Sequence, residues 1–350
     1  MSDRDTSDAS SLPRRDFLKL SGAAAAGLVA QGLVPAARGP LPPLPANPHT
    51  QSAMPTRNLG RTGYRVGLFS LGGQAQIEQP DNEDRAVSIV ERALDLGVNY
   101  LDTAAAYGGT ARWSQRYIGT VLKRRRAETF LTSKTHDRTR DGSLRLLEES
   151  LRLLNTDHLD LWQLHNVMRL DQIEQIFAPG GALEALVRAR DEKMVRFLGI
   201  TGHFDPAPLM EGIRRFPFDT VLMSLNAADR HQMSFAGELL PLAVERQMGI
   251  IGMKIPARAR ILASFTPGLP QIGQWEQASA PGTLTMREAM YYTLSHPVST
   301  VIIGCDSPAQ VEENVALAKE FTPLTEAQLT ELAAKTEPIK RQALFFRRWA

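Results

Sequence analysis

A single cysteine, Cys305, occurs in 350 residues, which excludes an intrachain disulfide and any metal site built on paired cysteines. One thiol is compatible with a reducing compartment or with export of an already folded chain. The net charge is only +2, so no strong field points to nucleic acid or to an anionic membrane surface, and neither is expected as a partner. No strand candidate carries His-x-His and no zinc-like Cys/His spacing occurs. That argues against a metal-dependent hydrolase, and no metal is expected. A Gly-x-Gly-x-x-Gly turn is also missing after the first strand candidate, where "LGGQAQIEQPD" stands. An open doubly wound sheet that binds a dinucleotide would need such a turn.

The N-terminus is a different kind of sequence. "PRRDFLKLSGAAAAGLVAQGLVPAARG" pairs Arg14 with Arg15 ahead of Phe17 and Leu18. An Ala/Gly/Leu-rich run then extends from Leu20 to about Val34. The run is too short and too weakly apolar to span a bilayer stably. It resembles a twin-arginine export signal, with small-residue cleavage candidates before Arg38 and Pro13 where Ser or Thr is more usual. Residues 1–37 are therefore expected to be a signal segment read by the twin-arginine export machinery. The chain would meet the membrane only during export and would end in the periplasm or outside. Residues 38–55, rich in proline, read as a flexible linker. Residues 56–335 carry the fold and 336–350 form a tail.

From residue 56 short apolar strands alternate with amphipathic helices. The strand candidates are 66–71, 98–102, 129–133, 159–164, 196–200, 219–225, 249–254 and 299–303. In "DRAVSIVERALDLG", Val87, Val90 and Leu94 share one helical face and Gly97 is a stop. "SPAQVEENVALAKEF" opens with Ser307 as N-cap and Pro308 at the first helical position. Eight strands, each followed by a helix, predict a (β/α)8 TIM barrel, which typically takes about 250 residues.

Active sites of such barrels lie at the C-terminal strand ends. Asp102 ends the second strand in "VNYLDTAAAYG" and Tyr107 follows in its loop. Lys134 lies just past the third strand in "TSK", and His165 ends the fourth in "LHN". Singly, each has a structural explanation: a turn cap, a loop tyrosine, a solvated lysine, a packed histidine. On consecutive strand ends they converge. A tyrosine of pKa about 10 is a poor proton donor at neutral pH. A lysine cation beside it is expected to lower that value, and Asp102 is the partner such a lysine needs when buried. His165 can hold a carbonyl oxygen near the phenol. A hydride must come from a cofactor, since no side chain supplies one.

These motifs, with the opening "LGRTGYRVGLFSLGG", resemble the aldo-keto reductases over about residues 56–335. The resemblance implies reduction of an aldehyde or ketone, or the reverse, with NADP (NADPH) or NAD (NADH). Tyr107 would be the general acid/base, Lys134 and Asp102 would tune it, and His165 would orient a small-molecule carbonyl substrate. It further places Gly72 and Gly73 close to the nicotinamide, Thr201 near its carboxamide, Asn166 in the outer part of the active site and Asn226 at a polar position after the sixth strand, with Leu222 where the family has a glutamine and Met253 where it has an aromatic. Lys254, Arg258 and Arg260 are candidates for the pyrophosphate. Gly304, Asp306, Gln310, Glu313 and Asn314 match the adenosine segment, with Asp306 and Gln310 replacing a serine and an arginine that favour a 2′-phosphate. Met253 and Leu222 also leave room for another class, a nucleotide-binding regulatory or scaffold protein with vestigial turnover. Trp113, Phe265, Trp275 and Phe345 are candidates for an apolar substrate pocket or for plain packing.

Overall fold

The computed structural model describes residues 39–267 and 278–349. Arg14, Arg15 and Trp275 lie outside them. An antiparallel hairpin, β1 (Thr56–Asn58) and β2 (Arg65–Gly67), precedes eight parallel strands. These are β3 (Phe69–Gly72), β4 (Tyr100–Asp102), β5 (Phe130–Thr135), β6 (Leu159–Leu164), β7 (Val195–Gly202), β8 (Thr220–Ser224), β9 (Gly249–Met253) and β10 (Thr300–Gly304). They close in the order β10-β3-β4-β5-β6-β7-β8-β9, so the expected (β/α)8 barrel is present. The strand expected over 66–71 is in fact two elements, β2 and β3. Residues 66–71 are buried throughout, so the apolar run carries no period that would mark the break at Leu68.

Two apolar layers hold the barrel. Inside it, Tyr64 of the hairpin packs against Phe130 at 4.6 Å, and Phe130 stacks on Tyr100 at 5.4 Å. With Leu161, Leu222 and Ile251 these side chains fill the interior. The hairpin is pinned beneath it by Asn99, whose side chain accepts from the Gly67 N–H at 3.0 Å and donates to the Arg65 carbonyl at 2.9 Å. Outside, helices bury one face each. The helix Glu83–Asp95 buries Val90 and Leu94 of the expected face, with Val87 half-buried, and buries Ile89 beside them. In the helix Pro308–Lys319, Ser307 Oγ accepts the Gln310 N–H at 3.3 Å, the expected cap.

The segment read as a loose linker is docked from Pro42 onward. The Pro42 carbonyl accepts from Arg196 at 2.6 Å, Asn47 Nδ2 donates to the Leu94 carbonyl at 2.7 Å, and Thr50 Oγ1 to that of Gly97 at 2.8 Å. Its proline content disguised these buried polar anchors. At the opposite, C-terminal end of the barrel the tail folds back. Arg347, almost fully buried, pairs with Asp229 at 2.6 Å and donates to the Ser224 carbonyl at 3.2 Å. This seats Phe345 and Phe346 beside the strand ends.

Candidate active site

Strand periodicity aims the polar groups inward. Thr132 and Lys134 are two apart on β5 and share its inner face, while Asp102 is registered opposite Thr132. Thr132 Oγ1 donates to Asp102 Oδ1 at 2.9 Å. Lys134 Nζ donates to Asp102 Oδ2 at 2.5 Å, to the Thr103 carbonyl at 2.9 Å and to the Tyr107 hydroxyl at 3.3 Å. An ammonium has three N–H donors, and each has an acceptor here. Tyr107 reaches the lysine because the chain turns at once after β4, where the Tyr107 N–H donates to the Ala104 carbonyl at 3.1 Å. Ala104 and Ala105 are buried in that turn. Gly108 follows at φ +84°, and a Cβ there would lie 2.5 Å from the Trp113 nitrogen. The His165 ring meets Tyr107 edge-on, centroids 5.7 Å apart, and its backbone N–H is held by the Thr135 carbonyl at 2.8 Å. The structure thus brings together the four side chains predicted to act jointly. Thr132 and the Thr103 carbonyl are partners the sequence reading missed; the alternation that selects Lys134 also selects Thr132.

The electrostatics differ from expectation in one respect. The Lys134 cation beside the Tyr107 hydroxyl favours the phenolate, but the net shift of the phenol is upward. Burial pushes it well above its usual value, and Asp102 and then Glu78 push the same way, with Arg258 opposing. Tyr107 is therefore a fully protonated donor at neutral pH. Burial also lowers Lys134, and Asp102 counteracts this. Burial first, then Lys134, takes His165 well below its usual range, so its imidazole is neutral.

These groups sit in a cleft of about 1170 Å³ that runs across the C-terminal strand ends. Gly72, Gly73, Asn166, Thr201, Met253, Lys254, Arg258, Gly304, Asp306, Gln310, Glu313 and Asn314 all line it. Gly73 is required by close packing against the β4 end and its loop, since a Cβ would lie 2.5 Å from Ser114 Oγ and 2.6 Å from the Asp102 carbonyl. Asn166 has its N–H fixed by Thr201 Oγ1 at 2.8 Å. Its buried Oδ1 has no partner among the described residues, which suits a ligand amide. Lys254 and Arg258 stand on a left-handed stretch of backbone at φ +64° and +55°. Burial first, then Arg258, brings Lys254 down to about 8.

Residues 65–269, more than half of the chain, match the Aldo/keto reductase family. The chain belongs to that family. It is 28% identical over 309 residues to L-galactose dehydrogenase of Arabidopsis thaliana, spanning 81% of this chain and 95% of that one. The holo form of aldo-keto reductase AKR11C1 from Bacillus halodurans superposes with a TM-score of 0.65 at 26% identity, over 81% of this chain and 96% of the other. An aldo-keto reductase from Klebsiella pneumoniae, solved in complex with NADPH, shares the fold at 20% identity and a TM-score of 0.62, over 80% and 94% of the two chains.

Within this aldo/keto reductase two expected cofactor residues are placed elsewhere. Asn226 is buried off the cleft; its Nδ2 donates to the Lys254 carbonyl at 3.0 Å and its Oδ1 accepts from the Ala228 N–H at 3.0 Å. It shapes the loop that carries Lys254 rather than lining the cleft. Arg260 lies 4.3 Å over the Phe345 ring, packed beneath the tail. Gln310 turns its Oε1 back onto the Asp306 N–H at 2.6 Å. Arg85, which the sequence reading missed, donates to the Asp306 carbonyl at 2.8 Å and brings a cation to this loop. Of the four aromatics considered for a pocket, Phe345 lines the cleft, whereas Trp113 stacks on Tyr117 and Phe265 does not line it.

Proposed function

We propose that this oxidoreductase interconverts an aldehyde or ketone with its alcohol, using NAD(P)H. The observation that carries the proposal is the Lys134 ammonium, which touches a carboxylate, a carbonyl and the Tyr107 hydroxyl at once. The unpartnered Asn166 Oδ1 fits a nicotinamide carboxamide, and Lys254 and Arg258 suit a pyrophosphate. When bound, the dinucleotide supplies a hydride to the carbonyl carbon. The chain's own residues do the rest. Neutral His165 donates a hydrogen bond to the carbonyl oxygen and sets its position. Tyr107 gives its proton to that oxygen as charge develops there. Lys134 stabilises the phenolate left behind, and Asp102 keeps Lys134 charged. In oxidation the same groups run in reverse.

Kinship with an L-galactose dehydrogenase supports a hydroxylated substrate. Leu222 and Met253 favour a second reading, a nucleotide-binding regulatory protein with vestigial turnover, because neither can bind a carboxamide or stack as an aromatic does. We also propose export by the twin-arginine route, on the strength of Arg14 and Arg15. The decisive experiment incubates the purified protein with NADPH or NADH and a panel of aldehydes. Alcohol formed in step with nucleotide oxidised supports the reductase; tight nucleotide binding with no product from any aldehyde favours the regulatory reading.

A further inference from the structure

Beyond β3 the chain makes a short 3-10 turn, Ala75–Glu78, on the rim of the cleft. Glu78 ends it half-buried, facing the same space as Tyr107 and His165. Its carboxylate has weak partners. Gln74 Nε2 donates to its two oxygens at 3.3 and 3.5 Å, and the backbone N–H of Gly108 is turned toward it. Lys254 and Arg258 act on it through space, but among the described residues neither forms an ion pair with it. An ionised carboxylate offers about four acceptor positions, and a half-buried one with such partners retains capacity for a donor from a ligand.

The chemistry of that donor is constrained by its neighbours. A cationic ligand would approach Lys134, Lys254 and Arg258. An anionic one would meet Glu78 itself. A neutral group with several O–H donors meets neither penalty. The rest of the cleft suits such a group. His203 Nδ1 is buried without a partner among the described residues; the ring is held neutral and also meets the Phe346 backbone, which leaves Nδ1 for a ligand hydroxyl. Phe346 packs edge-on to His203 at 5.9 Å, and Phe345 and Met168 add apolar wall for C–H faces.

We propose that Glu78 determines specificity. Its carboxylate accepts hydrogen bonds from hydroxyl groups close to the reacting carbonyl, and the site thereby selects a polyhydroxylated, aldose-like substrate over a plain aldehyde. The proposal rests on the reductase reading above. A hydrogen bond to a charged acceptor discriminates by about ten- to hundredfold.

The test compares D-glyceraldehyde with propanal, which share a carbon skeleton, in wild type, Glu78→Gln and Glu78→Ala. The ratio of the two kcat/KM values should favour glyceraldehyde in wild type. It should fall by at least about tenfold in Glu78→Ala, and by less in Glu78→Gln, whose amide oxygen still accepts. NADPH affinity should stay within about twofold of wild type in both, since Glu78 has no firm ion pair with the cations. An unchanged ratio overturns the proposal, and so does an equal loss on both aldehydes accompanied by weakened NADPH binding. If wild type reduces neither aldehyde, the reductase reading fails on its own. Xylitol binding measured by calorimetry then decides for Glu78: weakening by about tenfold in Glu78→Ala supports it, and equal affinity refutes it.

Discussion

Replacing Asp102 by asparagine removes a charge and almost nothing else. The amide keeps the carboxylate's shape; its oxygen can still accept from Lys134 and its nitrogen can donate to Thr132 Oγ1. What is lost is the anion 2.5 Å from an ammonium whose side chain is 1% exposed. At that distance two unit charges interact by about 7 kcal/mol for an effective dielectric near 20. The lysine can escape part of this cost by releasing its proton. Removing one member of a buried pair then destabilises a protein by about 3–5 kcal/mol. A neutral Lys134 also cannot stabilise the phenolate, so kcat should fall by about 10²–10⁴. Urea unfolding measured beside steady-state reduction checks both figures. Asp102→Asn with under about 1 kcal/mol lost and kcat within about threefold would refute the claim that this carboxylate keeps Lys134 charged.

Three further outcomes are expected. Lys254, with a pKa of about 8, carries its charge below that value and loses it above; NADPH affinity should weaken as pH rises through 8, and Lys254→Met should flatten the dependence at a weaker constant value. Asp306 lies exposed on the cleft, and if this loop takes the adenosine as the resemblance implies, its carboxylate repels a 2′-phosphate; NADH should then compete within about tenfold of NADPH, and Asp306→Ser and Gln310→Arg should each move the ratio toward NADPH in paired titrations. Arg14→Lys with Arg15→Lys should leave folded protein in the cytoplasm; periplasmic recovery of the double variant contradicts the export reading.

The tetrad was legible because two simple regularities overlap. Strand alternation decides which side chains enter the barrel, and strand ends decide which of them meet a ligand, so Asp102, Lys134 and His165 could be placed from their positions alone. Other features left weaker traces. The break between β2 and β3 is silent because burial on every side removes the alternation. Asn226 and Arg260 were misplaced because the loops after β8 and β9 that carry them have no period to anchor them. The rise in the Tyr107 pKa depends on how deeply the phenol is buried, which a sequence does not state. Glu78 stands in "QIEQPDNED", a polar stretch that reads as a solvated loop until β3 and the Tyr107 loop are seen to flank it.

The central claim is that the Tyr107 hydroxyl delivers the proton in carbonyl reduction. The most direct measurement pairs wild type with Tyr107→Phe, following alcohol formation and nucleotide affinity in the same preparations. The substitution removes one oxygen and the transferable proton. Turnover should fall by at least about 10²-fold, with nucleotide affinity held within a few-fold, since Lys134 keeps its contacts to Asp102 and Thr103. Equal rates of carbonyl reduction in the two proteins would contradict the account.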